Sequence, residues 1–206
     1  QNTDPNTVTT TGHIEITSGC TVTLAGVNIE SYSTAPIWIN PTYNGDTVTL
    51  KLSRTNKVTA TGILYAGIEK DGDNSGSLII TGEDNGELKA TGGTKGAGIG
   101  GGKDESGSNI TIIRGTVKAT GGSGSGGGIG GGITKDCINI TISGGEVTAT
   151  SNAGAGIGGG ILGSGNNIKI SGGKVIAKST GQTYHGSAIG KGYNGVDQSG
   201  NSITPS

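Results

Sequence analysis

A glycine-rich motif centred on isoleucine recurs along this chain at nearly constant spacing. It reads Gly96-Ala-Gly-Ile-Gly-Gly-Gly102 and returns, with small changes, around Ile129 and Ile157. Looser copies extend the series, whose central residues are Ile37, Ile68, Ile99, Ile129, Ile157 and Ile189. Successive members are 28 to 32 residues apart. A fixed period of this length indicates a repeat architecture.

Two further short segments repeat with the same period. One is generally of the form Val-x-Ala and occurs at 20–24, 57–61, 87–91, 116–120, 146–150 and 174–178. The other precedes it and occurs at 13–16, 47–50, 78–81, 109–112, 139–142 and 167–170. Both alternate apolar and polar residues and are bounded by Gly, Ser, Asn or Asp, as half-buried strands are.

Three short strands in each repeat predict an all-β parallel β-helix, a solenoid of about six coils. A propeller is the alternative, but its blades need four strands and about 40–50 residues. We assign residues 13–192 to the repeats, 1–12 to an N-terminal cap, and 193–206 to a partial coil or linker.

Stacked coils place equivalent residues in columns, about 4.8 Å apart. Beside the isoleucines, we expect the inward columns Val22, Val58, Leu88, Val117, Val147, Val175 and Leu24, Ala60, Ala90, Ala119, Ala149, Ala177. Narrow aliphatic columns need no aromatic residues, which fits a chain without Phe. On the outside we expect the pairs Lys57–Glu87 and Glu146–Lys174 and a ladder of Thr61, Thr91, Thr120 and Thr150.

Composition excludes several classes of function. A formal net charge of −1 argues against nucleic-acid binding, and no apolar run approaches the roughly 18 residues of a membrane span. The chain contains no Met, so we expect it to be a processed piece of a longer, secreted protein. We expect a monomer that is secreted or attached to the cell surface.

The two cysteines are predicted to remain unpaired. Cys20 belongs to the first coil and Cys137 to the fifth, so four rungs separate them by roughly 19 Å. A disulfide requires Cα atoms within about 7 Å.

The segment Asp71-Gly-Asp73-Asn-Ser75-Gly76 resembles the opening of a calcium loop, with oxygen ligands at alternate positions. We therefore consider Asp71, Asp73 and Ser75 as ligands of a calcium ion. Gly82 stands where such loops carry a bidentate Glu. The alternative is that these residues simply build a turn.

Aromatic residues concentrate in the first and last coils. Trp38, Tyr32 and Tyr43 form one group, and Tyr184, His185 and Tyr193 form the other. Aromatic rings with polar edges suit a sugar ligand, so each group is a candidate binding site. The alternative is that they cover the ends of the solenoid.

The pattern gives no support for catalysis. His13 and His185 lie about five coils apart, and Arg54 and Arg114 two coils apart. The outward acidic residues alternate with Lys or Thr, so no pair of carboxylates is predicted to share acid–base work.

The repeat at 139–160 resembles repeats of bacterial cell-surface β-helix proteins, including carbohydrate-binding β-helix domains of clostridia and gut Gram-positive bacteria. The resemblance covers about 13–192 and implies a right-handed solenoid. Relatives that bind acidic polysaccharide through calcium carry an Asp-Asp-Gly-Ile turn, where this chain has Gly154-Ala-Gly-Ile157. The resemblance implies a non-catalytic surface module that binds a polysaccharide or host glycan, or that acts as an adhesin.

Three other functions are left open by the sequence. The first alternative is a passive stalk or spacer within a larger surface protein. A polysaccharide lyase and an ice-binding protein are the other two. Lys89, Lys118 and Lys178 project from the threonine face and argue against a flat ice-binding plane.

Overall fold

The computed structural model describes residues 12–40, 45–70, 72, 76–124, 126–196 and 201–203. Twenty strands occur in these segments and form three parallel sheets. Sheet 1 contains β1 (Ile14–Ile16), β4 (Ile37–Ile39), β7 (Ile68–Lys70), β10 (Ile99–Gly100), β13 (Ile129–Gly130), β16 (Ile157–Gly158) and β19 (Ile189–Gly190).

The other two sheets take the remaining strands. Sheet 2 contains β2 (Cys20–Ala25), β5 (Thr47–Ser53), β8 (Ser77–Gly82), β11 (Gly107–Ile112), β14 (Cys137–Ile142), β17 (Gly165–Ile170) and β20 (Ser202–Ile203). Sheet 3 contains β3 (Asn28–Ser31), β6 (Thr55–Ala60), β9 (Glu87–Thr91), β12 (Thr116–Thr120), β15 (Glu146–Ser151) and β18 (Lys174–Ser179). Each strand pairs with the strand three later, so the predicted parallel β-helix with three strands per coil is confirmed.

The isoleucines of sheet 1 form one buried column, as the repeat predicts. The register places Ile99 opposite Ile68 and Ile129, and Ile129 opposite Ile157. The column begins one strand earlier than expected, because Ile14 pairs with Ile37. Side chains from all three sheets fill the interior as a single aliphatic core.

The first coil corrects our assignment of strands to sheets. We predicted that 13–16 aligns with 47–50, but β1 pairs with β4 in sheet 1. Likewise Val22 and Leu24 lie opposite Leu50 and Leu52 in sheet 2, not beside Val58 and Ala60. The alternating pattern is the same in all three sheets, so it could not show which sheet a strand joins.

A shift of two residues in the second coil corrects the columns of sheet 3. Thr55 lies opposite Glu87, and Val58 lies opposite Ala90 instead of Leu88. The predicted pair Lys57–Glu87 is therefore wrong, and Lys57 contacts Glu30 at 3.3 Å. Thr59, not Thr61, begins the threonine ladder with Thr91. The predicted pair Glu146–Lys174 is confirmed at 2.7 Å.

Because of the two-residue shift in the second coil, Asn56 takes the interior position opposite Leu88. It is fully buried, yet its Oδ1 accepts hydrogen bonds from the backbone N–H groups of Gly26 and Val27, both at 2.9 Å. Its Nδ2 donates to the carbonyls of Ser53, Arg54 and Glu87. A buried amide is tolerated here because both of its ends find partners.

Glycines of sheet 1 lie where successive coils approach most closely. Gly100, Gly130 and Gly158 adopt φ values of 133°, 138° and 147°. A Cβ atom built on Gly130 would overlap the carbonyl oxygen of Gly158, and one on Gly100 would overlap that of Gly130. The repeated glycines therefore permit backbone to lie directly on backbone.

A short asparagine ladder runs along the outside of sheet 2. Asn109, Asn139 and Asn167 all have positive φ, a conformation that Asn tolerates better than most residues. The Nδ2 of Asn139 donates to Oδ1 of Asn109 at 2.9 Å, and Asn167 donates to Asn139 at 2.6 Å. The ladder links three coils through side chains as well as backbone.

Replacing Gly130 by Ala should strongly destabilise the fold. Backbone strain and overpacking together are expected to lower the free energy of unfolding by about 2–5 kcal/mol. Gly45→Ala is the matched control, since a Cβ atom there would meet nothing within 4 Å. Urea unfolding followed by circular dichroism measures both variants, and equal stability of the two would contradict the close-contact argument.

The two cysteines are free, as predicted, and their surroundings differ. Cys20 is exposed, whereas Cys137 is completely buried. Burial raises the pKa of the Cys137 thiol to about 12. Because the unfolded thiol ionises near pH 8.5, the contribution of Cys137 to stability should decline as pH rises above that value.

Thiol labelling distinguishes these two environments. With a disulfide reagent at about pH 8, native protein should react quickly at Cys20 alone, because the thiolate is the reactive form. The second thiol should react after unfolding in guanidinium chloride. Rapid labelling of both cysteines in native protein would show that the core opens around Cys137, and Cys20→Ser identifies which residue reacts.

Candidate functional site

Two of the predicted aromatic residues meet at the last coil. Tyr184 lies in the connection between β18 and β19, and Tyr193 follows β19. Their ring centroids are 5.0 Å apart with an interplanar angle of 70°, an edge-to-face contact. Tyr184 is 55% exposed and Tyr193 is 39% exposed. Their surfaces are therefore available to a ligand.

A pocket opens beside this pair, and we call it the tyrosine pocket. Its volume is about 280 Å³, and it is lined by Asn152, Ala153, Ile161, Gly181, Gln182, Thr183 and Tyr184. The lining combines one aromatic ring and aliphatic surface with the amides of Asn152 and Gln182 and the hydroxyl of Thr183. These groups complement a neutral sugar, which presents apolar ring faces and hydroxyl groups at its edges.

Backbone hydrogen bonds hold together the connections that form the tyrosine pocket. The N–H of Gly181 donates to the carbonyl of Asn152 at 2.7 Å, and that of Tyr193 donates to Ala153 at 3.1 Å. The side chain of Asn152 is fixed by donating to the carbonyl of Ser123 at 2.9 Å. The pocket is thus built across neighbouring coils by the same stacking that builds the sheets.

The third predicted residue of this group, His185, is exposed and adjoins Tyr184. The connection turns back toward sheet 3 just beyond it, where the N–H of Gly186 donates to Oγ of Ser179 at 2.9 Å. His185 is therefore beside the tyrosine pocket but does not line it.

The aromatic group in the first coil is described only in part. Tyr32 is 71% exposed, and the half-buried Trp38 lies between Glu15 and Glu69 of the adjacent strands. Tyr43 lies outside the described residues, so the complete predicted group is not described. Tyr32 and Trp38 line neither of the two described pockets.

The predicted calcium ligands Asp71, Asp73 and Ser75 also lie outside the described residues. Within the described part of the chain, no three His, Cys, Asp or Glu side chains form a group that could hold a metal ion. Asp104 and Asp136, in the connections from β10 to β11 and from β13 to β14, have structural partners. Asp136 accepts a hydrogen bond from the N–H of Ser164, and Lys103 and Thr134 hold the pKa of Asp104 below its usual value.

A second concavity, which sequence reasoning missed, borders the threonine ladder on sheet 3. This open groove of about 460 Å³ is lined mainly by small residues: Ala60, Thr61, Gly62, Thr91, Gly92, Gly93, Thr94, Thr120, Gly121, Gly122 and Ser123. The groove offers hydroxyls and backbone but no aromatic ring. The signal in the sequence is the repeated Thr-Gly-Gly after the strand, at 91–93 and 120–122.

Two buried charged residues were also missed. Glu69 is 7% exposed, and its Oε2 accepts a hydrogen bond from the N–H of Ala66 at 2.8 Å. Lys70 is fully buried and donates to the carbonyl of Gly72 at 3.4 Å. Glu69 lies opposite Gly100 of the next coil. The sequence signal for these buried charges was that Glu69-Lys70 replaces the Gly-Gly that follows the isoleucine in other repeats.

Two general findings complete the description of the chain. No helix capable of crossing a membrane occurs among the residues that the structure describes. Comparison with protein-family models, with curated proteins and with solved structures found no match.

Proposed function

We propose that this protein is a non-catalytic, extracellular module that binds a glycan, with the tyrosine pocket as its binding site. The observation that carries this proposal is the edge-to-face contact of Tyr184 and Tyr193 beside a pocket edged by Asn152, Gln182 and Thr183. Aromatic faces cover the C–H surface of a sugar ring, and side-chain amides and hydroxyls bond to its hydroxyl groups.

Three features of the tyrosine pocket support binding without catalysis. Its lining contains no carboxylate, thiol or imidazole that could transfer a proton or attack a glycosidic bond. It opens broadly on the surface of the rod, which suits recognition of a chain end or a short stretch of polysaccharide. Its walls are tied across coils by backbone hydrogen bonds, so little ordering is needed when a ligand binds.

Binding of a calcium ion and attachment to a cell surface belong to the same proposal. The calcium ligands would be Asp71, Asp73 and Ser75, at least three coils from the tyrosine pocket along the chain. A calcium ion there would stabilise its own turn without touching the glycan. Glycan binding by the tyrosine pocket should therefore be unchanged by a chelator.

A spacer is the second candidate, and one structural observation favours it. Seven-stranded sheets run without interruption from β1 to β19 and from β2 to β20. Such a rod holds its two ends at a fixed separation of roughly 29 Å. A spacer would bind no glycan, so the binding experiment separates the two functions.

The binding experiment uses a glycan array followed by calorimetry on the glycans retained. Wild-type protein should show saturable binding of at least one glycan. Tyr184→Ala and Tyr193→Ala should each weaken that binding at least tenfold, which corresponds to about 1.4 kcal/mol. The loss is expected because Tyr184→Ala removes the ring that lines the pocket, and Tyr193→Ala removes the ring that packs against it.

Tyr32→Ala is the matched control, since Tyr32 is an exposed tyrosine in the opposite terminal coil. It should leave binding unchanged. Absence of any saturable binding would support the spacer, and equal effects of all three substitutions would exclude the tyrosine pocket as the site. Release of unsaturated sugar products from a bound polysaccharide would contradict the non-catalytic assignment.

A further inference from the structure

The two concavities of the rod lie on the same edge of sheet 3. The open groove of about 460 Å³, which we call the threonine groove, is lined by residues at the ends of β6, β9 and β12 and in the connections that follow them. The tyrosine pocket is lined mainly by residues 152–153 and 181–184, which follow β15 and β18. These five strands are successive neighbours in sheet 3, so both concavities lie where the chain leaves that sheet.

The threonine groove and the tyrosine pocket also touch each other. Ser123 lines the groove and Asn152 lines the pocket, and the Nδ2 of Asn152 donates to the carbonyl of Ser123 at 2.9 Å. The strands that precede them are in register, with Thr120 opposite Thr150. The two concavities are therefore successive sections of one surface. Together they extend over five coils, or four coil spacings, which is roughly 19 Å.

The threonine groove presents hydroxyl and backbone groups. Thr94, Thr120 and Ser123 are exposed, so their hydroxyls are accessible to a ligand. The lining also includes five residues that contribute backbone but no side chain: Gly62, Gly92, Gly93, Gly121 and Gly122. A hydroxyl group both donates and accepts hydrogen bonds, so a polymer rich in hydroxyls can bond along the whole groove.

The lining of both concavities is uncharged. None of the described residues that line them is Asp, Glu, Lys, Arg or His. Lys89 and Lys118, on the outer face of sheet 3, both pair with Glu87, at 3.7 Å and 2.7 Å. Lys95 and Lys178 belong to coils that border the concavities but line neither of them. An acidic sugar would meet no cation among the lining residues, so the linings suit an uncharged ligand.

We propose that the threonine groove and the tyrosine pocket form one cleft, which holds an extended, uncharged polysaccharide parallel to the axis of the rod. This inference rests on the glycan binding proposed for the tyrosine pocket, and it names the class of glycan. Tyr184 covers the face of one sugar ring, and the amides beside it bond to that sugar's hydroxyls. The sugars that follow lie along the threonine groove.

The regular stacking of the coils favours an extended chain over a coiled one. Thr91, Thr120 and Thr150 lie opposite one another in successive strands, so the cleft follows the direction of stacking. Sugars joined by β-1,4 bonds form extended chains, whereas α-1,4-linked glucose forms a coil that would leave the surface. Each additional sugar of an extended chain reaches further hydroxyls, so affinity should increase with length until all five coils are covered.

The first test is calorimetry of the full chain with neutral β-1,4-linked oligomers of glucose, xylose, mannose and N-acetylglucosamine, from the disaccharide upward. In at least one series, affinity should rise about tenfold or more with length, which corresponds to about 1.4 kcal/mol. Oligomers of α-1,4-linked glucose are the matched control ligands and should show no such gain. Affinity that is independent of length in every β-1,4-linked series would overturn the proposal.

Oligomers of galacturonic acid test the uncharged character of the ligand. They should bind more weakly than the best neutral series, because the lining offers no cation to their carboxylates. Binding that increases with length only for these acidic oligomers would overturn the assignment of an uncharged ligand.

The second test removes hydroxyls from the threonine groove. Thr94→Ala with Thr120→Ala should weaken binding of the longest oligomer about tenfold and leave binding of the disaccharide unchanged. Tyr184→Ala should weaken binding at every length. The matched control is Thr111→Ala with Thr141→Ala, two threonines that lie opposite each other in sheet 2. Circular dichroism confirms that each variant is folded, and equal effects of the two threonine variants would contradict the cleft.

The outcomes separate this inference from the proposed function. If the array retains other glycans and none of the β-1,4-linked series binds, the cleft is overturned and the glycan-binding function stands. The same holds if the disaccharide binds in the tyrosine pocket and longer oligomers bind no better. If no glycan binds at all, both proposals are overturned.

Discussion

Backbone hydrogen bonds between successive coils are the interaction on which the rest of this structure depends. A single turn of the chain is too thin to enclose a core, so its strands are stable only when another turn pairs with them. The bond from the N–H of Ile129 to the carbonyl of Gly156, at 3.0 Å, is one of a continuous series along the rod. Every column of side chains is aligned by that series.

The same constraint explains the unusual composition. Successive coils lie about 4.8 Å apart, and at some positions a Cβ atom would overlap the backbone of the next coil. Glycine fills those positions, as Gly130 and Gly158 do, and small aliphatic residues fill the narrow interior. The aromatic residues Tyr184 and Tyr193 lie in connections between strands, where they contact each other outside the interior. The exposed tyrosine pair is thus a consequence of what the interior cannot hold.

How far the sequence predicts this protein depends on whether a signal repeats. The isoleucine column was predictable because every coil carries a recognisable copy, and the unpaired cysteines followed from counting coils. The sheet that each first-coil strand joins and the register of Val58 were not predictable. Alternation is the same in all three sheets, and a shift of two residues preserves it. The grouping of Tyr184 with Tyr193 was expected from their shared coil, whereas the residues that line the pocket beside them come from three connections.

The sequence by itself determined the period, the three strands per coil and most of the aliphatic residues that face inward. These properties depend on local alternation and on repetition, and both can be read directly from the amino-acid sequence. The tertiary structure alone decided which strand of the first coil joins which sheet, how Asn56 satisfies its buried amide, and where the tyrosine pocket opens. Those outcomes depend on the register between coils. The register is set by contacts between different repeats, so no single repeat encodes it.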